Sequence, residues 1–194
     1  MSADGAVVGA DGWARCPWGA GAADYAEYHD REWGFPVRGR RALYERITLE
    51  SFQSGLSWLT ILRKREAFRR AFAGFAPERV AAFDEDDRQR LLGDAGIVRN
   101  RAKIDAAIGN ARAVLDLDRD LDELLWSFAP DPDRQRPASA AEIPAVTAES
   151  KAMAADLRRR GFVFVGPTTC YALMQATGMV DDHVAGCWRV AAAE

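Results

Sequence analysis

The sequence predicts an all-α domain, on three observations. Apolar residues recur at helical spacing along most of the chain, as at Leu43, Ile47, Phe52 and Leu56, at Phe68 and Phe72, and at Ile104, Ile108 and Ala111. Runs that read as strands are scarce, the nearest being the short apolar stretch Gly161-Phe162-Val163-Phe164-Val165-Gly166 between glycines. The less regular sequence collects at the two ends, which are rich in Trp, His and Cys.

Taken in order, residues 1–12 read as a flexible N-terminal extension and residues 13–194 as a single domain. Residues 41–62 read as one helix that Gly55 should weaken or kink, and residues 63–72 as a second. The next helix begins at 77–83 with Pro77 in its first turn, where a missing N–H does no harm, and the pattern continues through 85–92. Asp94-Ala95-Gly96-Ile97 then interrupts it before residues 104–111 resume a helix, so the span from about 84 to 113 predicts a helix, a glycine-containing hairpin and a helix. A Pro-, Asp- and Arg-rich loop fills 129–141, and helices at 148–159 and 168–177 complete the domain.

A net charge of −3 and a sequence pI near 5.5 exclude a protein that coats nucleic acid with its whole surface. Charge placement is more informative, because Arg63, Lys64, Arg65, Arg69 and Arg70 crowd one segment and Arg99, Arg101, Lys103 and Arg112 another. These are local basic faces or ordinary solvated helix faces. No apolar run long enough to span a membrane or to serve as a secretion signal is present, so a cytoplasmic, membrane-free location is expected. Three cysteines in such a chain argue against a disulfide framework. Nothing in the pattern calls for an oligomer, and a monomer is expected.

Two of those cysteines, Cys16 and Cys187, lie near the ends, as do the two histidines of the chain, His29 and His183. Thiolate and neutral imidazole are the donors tetrahedral Zn2+ prefers, and with all four positions filled by protein such an ion would be structural. Chance placement of four such residues is the alternative that spacing leaves open.

Between Trp13 and Trp58 fall four of the six tryptophans, together with Tyr25, Tyr28, Phe35, Tyr44 and Phe52. Such density builds either a core or a pocket for a flat ring. Glu50 stands among them in the apolar setting Thr48-Leu49-Glu50-Ser51-Phe52, where a buried carboxylate would need a partner. The exocyclic amine of a purine, or a cationic base, would supply one; an exposed helix position is the alternative.

At a larger scale the words of the sequence are similar to those of the bacterial 3-methyladenine DNA glycosylase I family. The resemblance rests on Cys16-Pro17-Trp18, Tyr28-His29-Asp30-Arg31-Glu32-Trp33-Gly34, Gln53-Ser54-Gly55-Leu56-Ser57-Trp58, Asp94-Ala95-Gly96-Ile97, Lys103-Ile104, Asn110-Ala111-Arg112, Trp126-Ser127-Phe128, Gly161-Phe162 with Phe164-Val165-Gly166, and Asp182-His183-Val184. It implies a helix-hairpin-helix glycosylase domain with a lobe in which Zn2+, held by Cys16, His29, His183 and Cys187, ties segments at about 13–34 and 178–190. It implies that Glu50 is the catalytic-site acid that hydrogen-bonds a flipped base, that Tyr28 and Trp58 contact or stack on that base, and that Trp18, Tyr25 and Trp33 line its pocket. Leu56 resembles the wedge that fills the gap in the duplex, with backbone amides of Ala95, Gly96 and Ile97 offered to a phosphate and Arg99, Arg101 and Lys103 as nearby cations.

The implied activity is monofunctional: 3-methyladenine is flipped from double-stranded alkylated DNA and its N-glycosidic bond is hydrolysed, leaving an abasic site for base excision repair. Location in the bacterial cytoplasm, at the nucleoid when on DNA, goes with it. The hairpin has a single glycine and lacks the catalytic aspartate common in the wider superfamily, gaps that the resembled family shares. The competing expectations are a non-catalytic zinc-containing DNA-binding module and a glycosylase of the same fold for another alkylated base.

Overall fold

Leu43, Tyr44, Ile47 and Phe52 turn one face of helix α2 (Arg40–Gln53) into the centre of the molecule, and the other helices pack around it. The computed structural model describes residues 5–131 and 135–189. Positions 1–4, 132–134 and 190–194 lie outside the described residues, and with them part of the expected N-terminal extension, part of the loop 129–141 and the last position of the expected C-terminal zinc-linked segment.

In chain order α2 is preceded by the antiparallel pair β1 (Val7–Val8) and β2 (Ala14–Arg15) and by α1 (Ala23–Arg31). It is followed by α3 (Trp58–Ala71), α4 (Pro77–Ala81), α5 (Glu85–Gly93), α6 (Arg101–Leu115), α7 (Leu121–Trp126), α8 (Ala148–Arg159) and α9 (Pro167–Ala176). The domain is mostly helical, as its periodicity predicts. The β pair falls partly within the span read as an extension. No helix among the described residues is long and apolar enough to cross a membrane.

The helix starts follow from local chemistry. Ser57, Asp84, Asn100 and Thr147 each accept a hydrogen bond from an orphan backbone N–H of the first turn of α3, α5, α6 and α8. Thr147 and Ser150 do so reciprocally as a capping box. The first turn of α5 carries Glu85, Asp86 and Asp87, a charge that suits the positive end of the helix dipole.

One expectation is corrected here. Residues 41–62 are not one helix: α2 stops at Gln53 and α3 starts at Trp58, because Gly55 adopts φ +77° and Ser57 caps the new helix. The break leaves Leu56 38% exposed at the tip of a turn held by the Leu56 N–H donating to the Gln53 carbonyl at 2.7 Å.

The apolar interior falls into two clusters. The larger joins α2 to Phe68 of α3 and Phe72 just after it, Leu91 of α5, Ile104 and Ile108 of α6, and Tyr171, Leu173 and Met174 of α9. Phe52 meets Phe68 and Phe72 edge-on at centroid separations of 4.7 and 5.8 Å. The smaller cluster gathers the two chain ends through Cys16, Tyr28, Trp33, Val184 and Cys187, with Ala176 from α9. Trp58 and Ile143 pack against both clusters and so mark the seam between them.

Lys103 of α6 is also placed differently from expectation. It is 8% exposed, and its ammonium donates to the carbonyls of Phe52 at 2.9 Å and Ser54 at 2.5 Å, capping the C-terminal end of α2. Burial lowers its pKa. A cation occupied in this way is withdrawn from the surface, so Lys103 is a structural tie between α2 and α6 in place of the DNA-facing cation that its neighbours suggested. Lys103→Met should therefore cost about 1–3 kcal/mol, because two carbonyls lose a charged donor. Urea denaturation measures that loss, and stability equal to wild type would refute the tie.

Candidate active site and metal group

The seam between the clusters opens into a cavity of about 240 Å³ lined by Trp18, Tyr25, Tyr28, Trp33, Glu50, Gln53, Trp58, Ile143, Ala172 and Gln175. The six residues that sequence reasoning assigned to a base pocket are thus brought together on one cavity. Sequence reasoning missed Gln53, which lies three residues after Glu50 on α2 and could have been found from helical spacing. Ile143, Ala172 and Gln175 arrive from distant segments and carry no local signal.

The walls are aromatic and mutually braced. Trp18 stands edge-on to Tyr25 at 5.2 Å and to Trp33 at 5.0 Å, and tilted to Tyr28 at 6.2 Å, while Tyr28 lies 5.4 Å from Trp58. Each ring is fixed by another, so the slot is formed before any ligand enters.

Glu50 is 3% exposed, and among the described residues its carboxylate has neither a hydrogen bond nor an ion pair. Burial pushes its pKa up to about 8, against the pull of the Arg46 guanidinium one turn earlier on α2. Arg46 is itself held by Glu32 at 3.1 Å, which also receives Arg65 at 2.5 Å, and it lies 5.9 Å from the Tyr28 ring. The indole N–H of Trp58 is a second buried group without a partner. An acceptor and a donor to which the protein gives no partner, both among cavity-lining residues, are available to a ligand that supplies the complementary groups.

Behind this cavity Cys16, His29 and Cys187 place one sulfur, one ring nitrogen and one sulfur within 4.8 Å of one another, all buried. His29 Nε2 is 3.5 Å from Cys187 Sγ, and the hydrogen bond to Cys187 together with burial raises Cys16 while the same contact lowers Cys187 to about 4. His183, expected as a fourth ligand, lies outside that triplet but adjoins it, its ring 5.1 Å from that of His29.

The donor set fits a metal. His29 Nδ1 pairs with Asp30 at 2.9 Å and His183 Nδ1 with Asp181 at 2.7 Å, so in each ring the far nitrogen is the one left to ligate. His183 Nε2 is buried with no hydrogen-bond partner. Glycine is required beside both rings: a Cβ at Gly19 would meet His29 at 2.7 Å, and one at Gly34, with φ +79°, would meet His183 at 2.7 Å. Asp30 further accepts from Arg15 and from the Trp188 indole at 3.1 Å, joining the two chain ends.

The expected DNA-facing residues divide. Leu56 projects from its turn, and Ala95, Arg99 and Arg101 are exposed, with Arg101 paired to Glu85 at 3.2 Å. The amides of Gly96 and Ile97 differ from expectation: Gly96 donates to the Asp94 side chain at 2.7 Å and Ile97 to the Asp94 carbonyl at 3.3 Å, because the aspartate folds the turn on itself. Ile97 is buried. Lys64 of α3, not assigned to the hairpin from sequence, donates to the carbonyls of Ala95 at 2.8 Å and Gly96 at 3.3 Å.

Comparison with known proteins identifies the family. Residues 18–190 match the family model for methyladenine glycosylase. The chain is 47% identical over 177 residues to DNA-3-methyladenine glycosylase 1 of Escherichia coli strain K12, covering 89% of this chain and 95% of that one. A crystal structure of 3-methyladenine DNA glycosylase I superposes with a TM-score of 0.87 at 47% identity, over 90% of this chain and 98% of the other. A tyrosine-to-phenylalanine variant of 3-methyladenine DNA glycosylase I in complex with 3-methyladenine superposes with a TM-score of 0.84 at 34% identity, over 90% of this chain and 96% of that one.

The raised pKa of Glu50 has a stability consequence. Between about pH 4.5 and 8 the folded chain holds a proton at Glu50 that the unfolded chain has released, so stability falls as pH rises through this window and levels off above it. Glu50→Gln removes the dependence. Its stability relative to wild type should therefore climb from pH 5 to pH 8 in paired denaturation curves, and a constant difference would contradict the assignment.

Proposed function

The chain belongs to the methyladenine glycosylase family, and from that premise we propose a division of labour among its residues for the release of 3-methyladenine from alkylated DNA. The observation that carries it is an aromatic slot containing a buried, unpartnered carboxylate. Methylation at N3 leaves the nucleoside cationic and its glycosidic bond weak. The base departs neutral, taking the bonding electron pair, while a water oxygen bonds to the deoxyribose carbon and loses its proton to solvent; the product is an abasic site.

Glu50 binds the flipped base by accepting from its exocyclic amine, and a cationic ring beside it favours the ionised carboxylate that burial disfavours in the empty site. Tyr28 and Trp58 flank the ring, and Trp18, Tyr25 and Trp33 close the slot and exclude water. Neither a lysine Schiff base nor a strong acid on the leaving group is needed. Leu56, at the exposed turn beside the cavity, fills the space the base leaves. Residues 94–100 between α5 and α6 form the hairpin of a helix-hairpin-helix, with Ala95, Arg99 and Arg101 toward the phosphates and Lys64 bracing the turn.

Residues 13–194 act as one glycosylase domain. Cys16, His29, His183 and Cys187 would hold Zn2+ as a structural ion, whose contribution is to tie the segments around 13–34 and 178–189 and so hold the pocket walls in register. The buried, orphaned Nε2 of His183 supports this ligand set.

Two experiments test the reading. Chromatography of bases released from methylated duplex DNA should show 3-methyladenine with wild type and at least a hundredfold slower release with Glu50→Gln, in a variant that keeps its fold. Retention of activity in that variant would remove Glu50 from the site. Metal analysis of purified protein should give one zinc per chain, with chelation lowering the melting temperature; Cys187→Ala should bind no zinc and melt at the chelated temperature. A full complement of zinc in that variant would exclude the ligand set.

A further inference from the structure

The glycine-bounded run 161–166 does not form a strand, and it belongs to neither the cavity lining nor the Cys and His group. It is nevertheless held firmly. Asn110 of α6, fully buried, donates to the Val163 carbonyl at 3.1 Å and accepts from the Val163 N–H at 2.9 Å. Ser51, the neighbour of Glu50 on α2, places its hydroxyl 3.2 Å from the Phe164 carbonyl and 2.7 Å from the Ile47 carbonyl, its single proton being shared between the two acceptors.

What this clamp presents is apolar and exposed: Val163 is 47% and Phe164 40% accessible. Phe164 also sits at φ +56°, a left-handed conformation that bulky side chains avoid. Phe75 is similarly strained at φ +58°, but its ring is fully buried and stacked on Phe72, so packing offsets the strain. Phe164 stacks on no other ring among the described residues, and its side chain is 40% exposed. Strain maintained beside the Asn110 clamp, with an aromatic ring left 40% exposed, points to a surface that the ring meets on binding.

The position says which surface. Ser51 lies in the last turn of α2, and the Leu56 turn hangs from the same end of that helix through Gln53, while Lys103 of α6 caps both Phe52 and Ser54. Leu56, through Gln53, and Phe164, through Ser51, are therefore both linked to the last turn of the helix that carries the pocket acid, and Val163 adjoins Phe164. Drawing one base into the cavity leaves its partner unpaired and half unstacked, and a fixed aromatic ring stabilises such a base by stacking.

We propose that Val163 and Phe164 form a second apolar contact with the duplex, the Phe164 ring stacking on the base left unpaired opposite the flipped nucleotide. The proposal rests on the reading of the cavity as a base pocket. Leu56 and Phe164 then divide the disrupted base pair between them, one on each strand.

Phe164→Gly removes the ring and relieves the backbone strain, which separates binding from folding. Its melting temperature should equal or exceed that of wild type, and its affinity for free 3-methyladenine, followed by tryptophan fluorescence, should be unchanged. Its affinity for a duplex containing a tetrahydrofuran abasic analogue should fall about tenfold, and 2-aminopurine placed opposite that analogue should lose the quenching that wild type imposes. Phe164→Tyr, which keeps the ring, should restore both signals. Wild-type affinity and quenching with Phe164→Gly would overturn the stacking role while leaving the pocket intact. Failure of wild type itself to bind either the free base or the abasic duplex would instead overturn the pocket reading on which it stands.

Discussion

A carboxylate kept out of water without a partner is the constraint around which this molecule is arranged. Desolvating Glu50 disfavours its charge, and the nearby cation, Arg46, is already engaged by Glu32 and offsets only part of the effect. No other protein group among the described residues offsets the rest. The walls must therefore resist the two easy escapes, collapse of the slot and rotation of the acid toward solvent. Collapse is opposed by the bracing of Trp18 against Tyr25, Tyr28 and Trp33. Rotation is opposed by the anchoring of α2, whose Tyr44 donates to Ala107 at 2.8 Å and whose last carbonyls are capped by Lys103.

The aromatic wall has a weakness of its own. Residues 17–34 contribute four of the pocket rings, yet α1 is a short helix and the smaller apolar cluster has few members. A segment of this kind cannot secure its geometry by hydrophobic burial alone. The Cys and His group lies directly behind it: His29 is the residue after Tyr28, its ring 5.1 Å from Trp18, and His183 is 4.6 Å from Trp33. A cation there would act on the pocket through these ring contacts without approaching the substrate. The carboxylates of Asp30 and Asp181 extend the support outward and fix which ring nitrogen faces inward.

Much of this was legible in the sequence, and the exceptions have identifiable causes. Helix periodicity foretold α5, α6, α8 and α9 to within a few positions, because that signal is local. The single helix over 41–62 was misread because its apolar spacing runs unbroken across Gly55, whose positive φ appears only once Ser57 caps the next helix. Tyr28 and Trp58 stand in motif words, whereas Glu50 was marked by its apolar setting among the aromatics. Lys103 looked like a surface cation beside Arg99 and Arg101, and charge pattern alone could not reveal that α6 turns it under the end of α2. The Asp94 side chain likewise takes the Gly96 amide that a phosphate was expected to receive. Ile143 and Gln175 reach the cavity through tertiary packing, which leaves no trace in the spacing of their own segments.

With Glu50 in its proposed role toward the base, the same desolvation accounts for discrimination by charge. With its pKa near 8, the Glu50 carboxyl is mostly protonated at neutral pH, so an unmodified adenine entering the slot meets a neutral acid. A neutral hydrogen bond contributes only about 1 kcal/mol net, less than the few kcal/mol needed to unpair and unstack a normal base. A cationic methylated base instead draws the proton off and gains a charge-assisted hydrogen bond in a medium that screens poorly. The interaction is strongest while the base still carries its charge and weakens as the neutral base departs. In this reading a stack of aromatic rings and one buried acid suffice to separate a damaged purine from the excess of normal ones, because selectivity is set by the cost of ionising Glu50 and not by contacts that read the sequence.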